Sequence, residues 1–218
     1  MKKTSFFIAF LAIAALIIVT SCSENPSVSA DEVQASEVKA LSLIIDDDGN
    51  LAGDLTDEEV ASLQFMIEEE KMARDVYLEM NDLYGLKVFS NISNSEQRHM
   101  DAVLFLIDGY NVINPASDEL GVFVNETLAQ LYADLIIQGE VSLEEALKVG
   151  ALIEETDIVD LNNWLEKVGN ANVEIVYANL LKGSTNHLRA FVRNLASLGI
   201  TYEPQVMDAD AYNAIIGQ

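Results

Sequence analysis

Cysteine is almost missing from this chain of 218 residues, which has one, Cys22. With no second thiol there is no internal disulfide and no cysteine-ligated zinc or iron site. Proline is scarce as well, at three residues, which leaves long stretches free to form uninterrupted helix. Positive charge is the third shortage. Twelve Lys and Arg face 36 Asp and Glu, a net charge of -24. Such a surface excludes nucleic acid, whose phosphates need basic contacts, and electrostatic docking on anionic lipid. The acidic excess has two readings: solubility, and a negative field that attracts cations, metal ions included. Histidine is the last rarity. There are two, His99 and His187, and each falls within a long helical stretch.

The first residues read as a leader, set aside before fold reasoning. Lys2 and Lys3 give it a charged start, and the apolar run from Phe6 to Val19 is short for a membrane span. Val19-Thr20-Ser21-Cys22 resembles a bacterial lipoprotein signal, in which Cys22 becomes the lipidated first residue. Val19 stands where such signals usually carry leucine, and an ordinary secretory leader with a stray cysteine is the other reading. The lipoprotein reading divides the chain into a signal peptide (1–21), a flexible acidic tether (22–54), a helical domain (55–202) and a C-terminal tail (203–218). It places the protein in the cell envelope, at the outer membrane in a Gram-negative cell, with the lipid as its sole membrane contact. Asp46-Asp47-Asp48-Gly49-Asn50 has the alternating oxygens of a calcium loop. Its glycine is out of place, and Asp57 stands where a bidentate Glu belongs, so an acidic turn before a helix is the better reading.

The domain reads as all-α. One helix opens near Leu55, with Thr56 as N-cap and Glu59 completing a capping box. Its inward stripe is Leu63, Met66, Ala73, Tyr77, Met80 and Tyr84, with Glu70 among them, and Gly85 suits its end. A second helix is expected from Ser93 to Gly109, with Ile92, Glu96, His99, Val103, Leu106 and Tyr110 on one face. A third, Phe123 to Ile137, turns Leu128, Leu131, Tyr132 and Leu135 inward; with no inward acid or histidine, it reads as packing. A fourth, Ser142 to Val168, is capped by Ser142 with Glu145 three residues on, and its stripe is Leu147, Ala151, Glu154, Ile158, Leu161 and Leu165. A fifth, Val173 to Leu198, carries Val176, Leu180, Ser184, His187, Phe191 and Leu195. A weak helical stretch, Ala209 to Ile216, ends the chain. Alternating strand patterns are absent. The architecture expected is a four-helix core with a helix inserted in the central crossover.

Each of the four long helices thus sets a metal-ligand residue in an apolar stripe: Glu70, Glu96 with His99, Glu154, and His187. Any one of them alone reads as an edge carboxylate or a satisfied core histidine. Together they put three carboxylates into one interior, where an unpaired charge costs several kcal/mol. The chain has few cations to offset them, and a metal pair would do so. Glu96 and His99 form E-x-x-H, whose members share a helix face and which is the inward ligand pattern of ferritin-like di-metal carboxylate proteins. Carboxylates with some imidazole and no thiolate suit iron or manganese.

The residues also resemble known families. Glu70-Lys71-Met72-Ala73-Arg74-Asp75-Val76-Tyr77 has the E-x3-R-x2-Y spacing of the first metal helix of rubrerythrins. Ser95-Glu96-Gln97-Arg98-His99 is similar to their second, and Glu154-Glu155-Thr156-Asp157 to their third. As a set, EEEKMARDVY, SEQRHM, IEETDIVDL and GSTNHLRAF resemble DUF2202, a prokaryotic family of ferritin-like domains of unknown function. The resemblance covers Leu55 to Tyr202. It implies a ferritin-like four-helix bundle binding two iron or manganese ions, acting on peroxide, dioxygen or ferrous iron. Two departures stand out. Ser184 takes the place of the Glu expected three residues before His187, so the second ion depends on whether Glu155 or Asp157 turns inward. The cysteine-ligated iron of rubrerythrins has no counterpart here, so a redox cycle needs an external electron donor. Arg74 is expected to pair with Asp75 or with acids of neighbouring helices. Tyr77 is either a core aromatic or a hydrogen-bond donor at the site. Asn186 and Asp101 are candidates to orient the imidazoles, or plain surface residues. A metal-binding protein without turnover and a purely structural helical lipoprotein are the alternatives. No feature marks a cage-forming surface, and the oligomeric state is left open.

Overall fold

The computed structural model describes residues 50–217. The leader, Cys22 and the Asp46–Gly49 part of the acidic turn lie outside the described residues. Among the described residues the regular elements are helices: α1 (Asp57–Tyr84), α2 (Lys87–Gly109), α3 (Glu126–Gly139), α4 (Leu143–Leu165), α5 (Ala171–Ser197) and α6 (Ala209–Ile216). The all-α class is therefore the one observed. No described helix is long and apolar enough to cross a membrane.

Local chemistry sets the ends. The Thr56 hydroxyl accepts from the Glu59 N–H, and the Glu59 carboxylate accepts from the Thr56 N–H, a reciprocal capping box. Gly85 closes α1 in the left-handed region at φ 61°. Asn125, Ser142 and Asn170 cap α3, α4 and α5 through their side-chain oxygens. Glu145 does not return the bond to Ser142: its carboxylate is taken by Gln138 and Lys148.

The main departure from the sequence expectation is the start of α2, which lies at Lys87 and not at Ser93. The Ser/Asn run there looks like a helix breaker. In the fold, Ser90, Ser93 and Asn94 bond back to carbonyls of the preceding turn instead. Phe89 and Ile92, both buried, carry the apolar stripe through the run.

Helix α1 packs along α2, and α4 along α5; α2 touches α5, α1 touches α4, and α3 lies against α1 and α4. The buried apolar residues fall into two clusters. One holds Met72 to Met80 of α1, Phe89 and Ile92 of α2, and Leu188 to Leu195 of α5. The other holds Leu63 to Ile67 of α1, Val103 to Ile107 of α2, Leu161 of α4 and Val173 to Leu180 of α5. Between them, on each long helix, lies a buried polar belt: Glu69 and Glu70, Glu96, Glu154 and Asp157, Ser184 and His187. The residues expected as a tail carry α6, whose Tyr212 is buried and donates to the Tyr202 carbonyl.

Candidate metal centre

Glu70, Glu96, His99, Glu154 and His187 meet in the belt. They form two groups with ligand atoms within 4.8 Å of one another: Glu70, Glu96 and His99, and Glu96, Glu154 and His187. Glu96 belongs to both. His99 Nδ1 lies 2.8 Å from Glu96 Oε2 and 3.1 Å from Glu70 Oε2. His187 Nδ1 lies 2.8 Å from Glu96 Oε1 and 3.3 Å from Glu154 Oε2. The two imidazoles stack with centroids 5.4 Å apart and planes 24° from parallel. Each ring thus turns its Nδ1 toward the carboxylates, and one carboxylate, Glu96, offers an oxygen to each.

The surroundings hold that arrangement. Tyr77 donates to Glu154 Oε1 at 2.6 Å, so it is both a core aromatic and a hydrogen-bond donor at the site. Ser95 Oγ lies 2.9 Å from His187 Nε2 and fixes that ring from behind. Behind His99 stands Gly183: a Cβ there would come within 2.4 Å of Nε2. Sequence reasoning misses both residues. Ser95 sits inside the motif S-E-x-x-H, and Gly183 lies four residues before His187, so proximity to the ligands is the one signal the sequence offers. Asn186 and Asp101 do not orient the imidazoles. Both are exposed, and they accept from Arg189 and Gln97.

Of the two acids expected to compensate for Ser184, Asp157 turns inward and Glu155 does not. Asp157 accepts from the Ser184 hydroxyl, so the residue in place of a ligand supports a carboxylate on the facing helix. Glu155 points to the C-terminal segment. It accepts from the Tyr202 hydroxyl and from the N–H groups of Gln205, Val206 and Met207. Arg74 pairs with Asp75 at 2.7 Å, and Lys71 pairs with the same carboxylate. This cluster anchors Gly121 through its N–H and leaves the belt without a Lys or Arg partner among these pairs.

Glu69 is an acid that the apolar stripe does not point to. It is 4% exposed, and its Oε2 has no hydrogen-bond partner. Glu70 Oε1, Glu96 Oε1, Asp157 Oδ1 and His187 Nδ1 share that condition. Glu96 Oε1 and His187 Nδ1 lie 2.8 Å apart, as an ion pair without hydrogen-bond geometry. Buried polar atoms are seldom left this way.

The charges compete strongly. Burial raises Glu70 and Glu69 well above the usual carboxyl range, and nearby Asp157 adds to it in both. Burial also pushes up Glu154, helped by the charge of Glu96, to about 7, and Asp157, despite the Ser184 bond, to about 7. Glu96 goes the other way. His187 and His99 outweigh its burial and hold it well below the ordinary range. Burial would lower His187, but Glu154 and Glu96 lift it to about 10; Glu70 and Glu96 lift His99 in the same way.

A cavity of about 260 Å³ opens beside this belt, lined by Glu69, Glu70, Glu96, Glu154 and Asp157 together with mostly apolar residues.

An all-helical protein with a buried carboxylate–histidine belt is the class that this architecture defines. The chain belongs to the DUF2202 family, described as an uncharacterized protein domain, whose pattern matches residues 59–218. It is 47% identical over 163 residues, 74% of this chain and 88% of the relative, to the uncharacterized protein MJ0754 of Methanocaldococcus jannaschii. Its fold is similar to the crystal structure of the hypothetical protein MJ0754 from Methanococcus jannaschii, with a TM-score of 0.75 at 46% identity, covering 77% of this chain and 96% of that one.

Proposed function

We propose that this protein is a ferritin-like di-metal carboxylate protein, built as a four-helix bundle with α3 inserted in the central crossover and binding iron or manganese in the buried belt. The observation that carries this reading is the pair of three-residue groups sharing Glu96. In it Glu70 and His99 would hold one ion, Glu154 and His187 the other, and Glu96 would bridge. The donor set fits such ions: oxygen-rich, with two imidazoles and no thiolate. Unpartnered buried oxygens around it are what ligands without their ion would leave.

Two redox-active ions held there would supply electron exchange with peroxide, dioxygen or ferrous iron. The chain's own residues do the rest. Ser95 and the bare backbone at Gly183 fix the two rings, and Tyr77 holds Glu154 so that its Oε2 faces His187. The apolar clusters on either side bury the ligand candidates. An external electron donor would complete a redox cycle. We place the protein in the cell envelope, tethered by a lipid on Cys22.

Elemental analysis of the purified protein, paired with a peroxide-consumption assay, tests this reading. About two irons or manganeses per chain and accelerated peroxide loss support it. Bound metal without turnover favours a metal-binding protein only. A structural charge network is the third reading, and the raised histidines beside Glu96 favour it. No metal after mild purification, with a lowered Tm in metal-free Glu96→Ala, would establish that one.

A further inference from the structure

The cavity beside the belt has two unlike sides. Its floor is the carboxylates of the candidate centre. The rest of its lining is apolar but for Thr156: chiefly Leu131 and Leu135 of α3, Leu152 and Ile153 of α4, and Val206 of the C-terminal segment. The sequence pattern of α3 predicts packing alone, yet this helix forms the roof. The Val206 wall is fixed by Glu155, which takes three consecutive N–H groups at 205–207. Glu155 follows Glu154 directly, so one turn of α4 supplies both a floor carboxylate and the clamp on the wall.

Away from the carboxylates, a charged molecule would lose water against hydrocarbon walls with nothing there to replace it. Dioxygen or peroxide would occupy only a small part of the space. A cavity of ~150 Å³ lined by aliphatic residues takes benzene, so about 260 Å³ holds a larger molecule, of roughly ten non-hydrogen atoms on that comparison. We infer that the chamber under α3 binds an uncharged, apolar organic molecule, laid with one face on the carboxylate floor. This rests on the metal reading for its chemical purpose, but not for its binding.

The test is naphthalene, which has about the right size, titrated into the full-length metal-loaded protein and followed by protein-detected NMR, with glucose as a polar control of like size. The expected result is one saturable naphthalene site with shifts at Leu135 and Ile153, and no glucose binding. Leu135→Trp, which fills the roof side, should weaken binding about tenfold or more at unchanged metal content. Val206→Trp, at the exposed lip, gives the same reading should the first variant fail to fold. Absence of naphthalene binding at full metal content overturns the inference and leaves the metal reading standing. Binding that neither Trp variant weakens also overturns it, because the molecule then sits elsewhere. Binding to a protein that holds no metal upholds the chamber and removes the metal reading.

Discussion

Three consecutive glutamates in α1 do three different things. Glu68 accepts from the N–H groups of Val124 and Asn125 and fixes the start of α3. Glu69 faces the cavity, and Glu70 faces His99. The apolar stripe singles out Glu70 by its place, but it cannot separate the other two, because all three are buried and a run of acids usually marks a solvated face. The five principal ligand candidates are legible because each interrupts an apolar period. Ser95 and Gly183 are not, since their work depends on how close two helices come. Substitutions separate these roles. On the proposed metal reading, Glu96→Ala should remove both ions and Glu70→Ala one of them, read by metal content per chain. Gly183→Ala drives a methyl into His99, and Ser95→Ala frees the His187 ring. Each should weaken metal binding by about 10–100-fold, the usual cost of losing a ligand's support, as measured by competition with a chelator.

At the scale of elements, caps explain what is legible and back-bonding explains what is not. Thr56, Ser142 and Gly85 announce their helix ends in the sequence. The Ser/Asn run in α2 hides its start, because the same side chains serve a turn or a helix according to tertiary packing. Close helix contact gives a further prediction. A Cβ at Gly150 of α4 would lie 2.4 Å from the Phe191 ring of α5, and that ring packs against Tyr77 at 5.2 Å. Gly150→Ala should therefore lower stability by about 1–3 kcal/mol through overpacking, seen as a lower urea midpoint. Glu59 joins two elements: it caps α1 and accepts from Gly169 and Asn170 before α5. Burial pushes its carboxyl up, but these N–H groups and the Thr56 hydroxyl outweigh that and hold it below the ordinary 4.5. A depressed folded pKa means the stabilisation is present above the unfolded value and lost as pH falls through the folded one. The stability gap between the parent and Glu59→Gln, about 1 kcal/mol near neutrality, should close on the acid side in urea melts.

For the whole molecule, the all-α class follows from scarce proline and unbroken helical periods, and the family from four short motifs. The belt's position midway between two apolar clusters is not legible, because no single helix reveals what lies opposite it. On the metal reading, with carboxylates in excess of imidazoles there, the folded state should be marginal when stripped and firmer when loaded. Chelation should lower Tm, and added iron or manganese should restore it by mass action, about 2.7 kcal/mol at a hundredfold excess over Kd. A melting temperature unmoved by chelation, in protein shown to have held metal, would contradict this.

The sharing of Glu96 has an asymmetry built into it. Glu70, Glu96 and His99 all come from α1 and α2, whereas Glu96, Glu154 and His187 draw on α2, α4 and α5. On the proposed reading, one position is complete within the N-terminal hairpin, and the other exists only once the two halves of the chain have closed on each other. The second ion would then act as a latch, and its occupancy would report assembly. A chain caught with the ion of the N-terminal hairpin alone would be one whose halves had not yet met, or had begun to part.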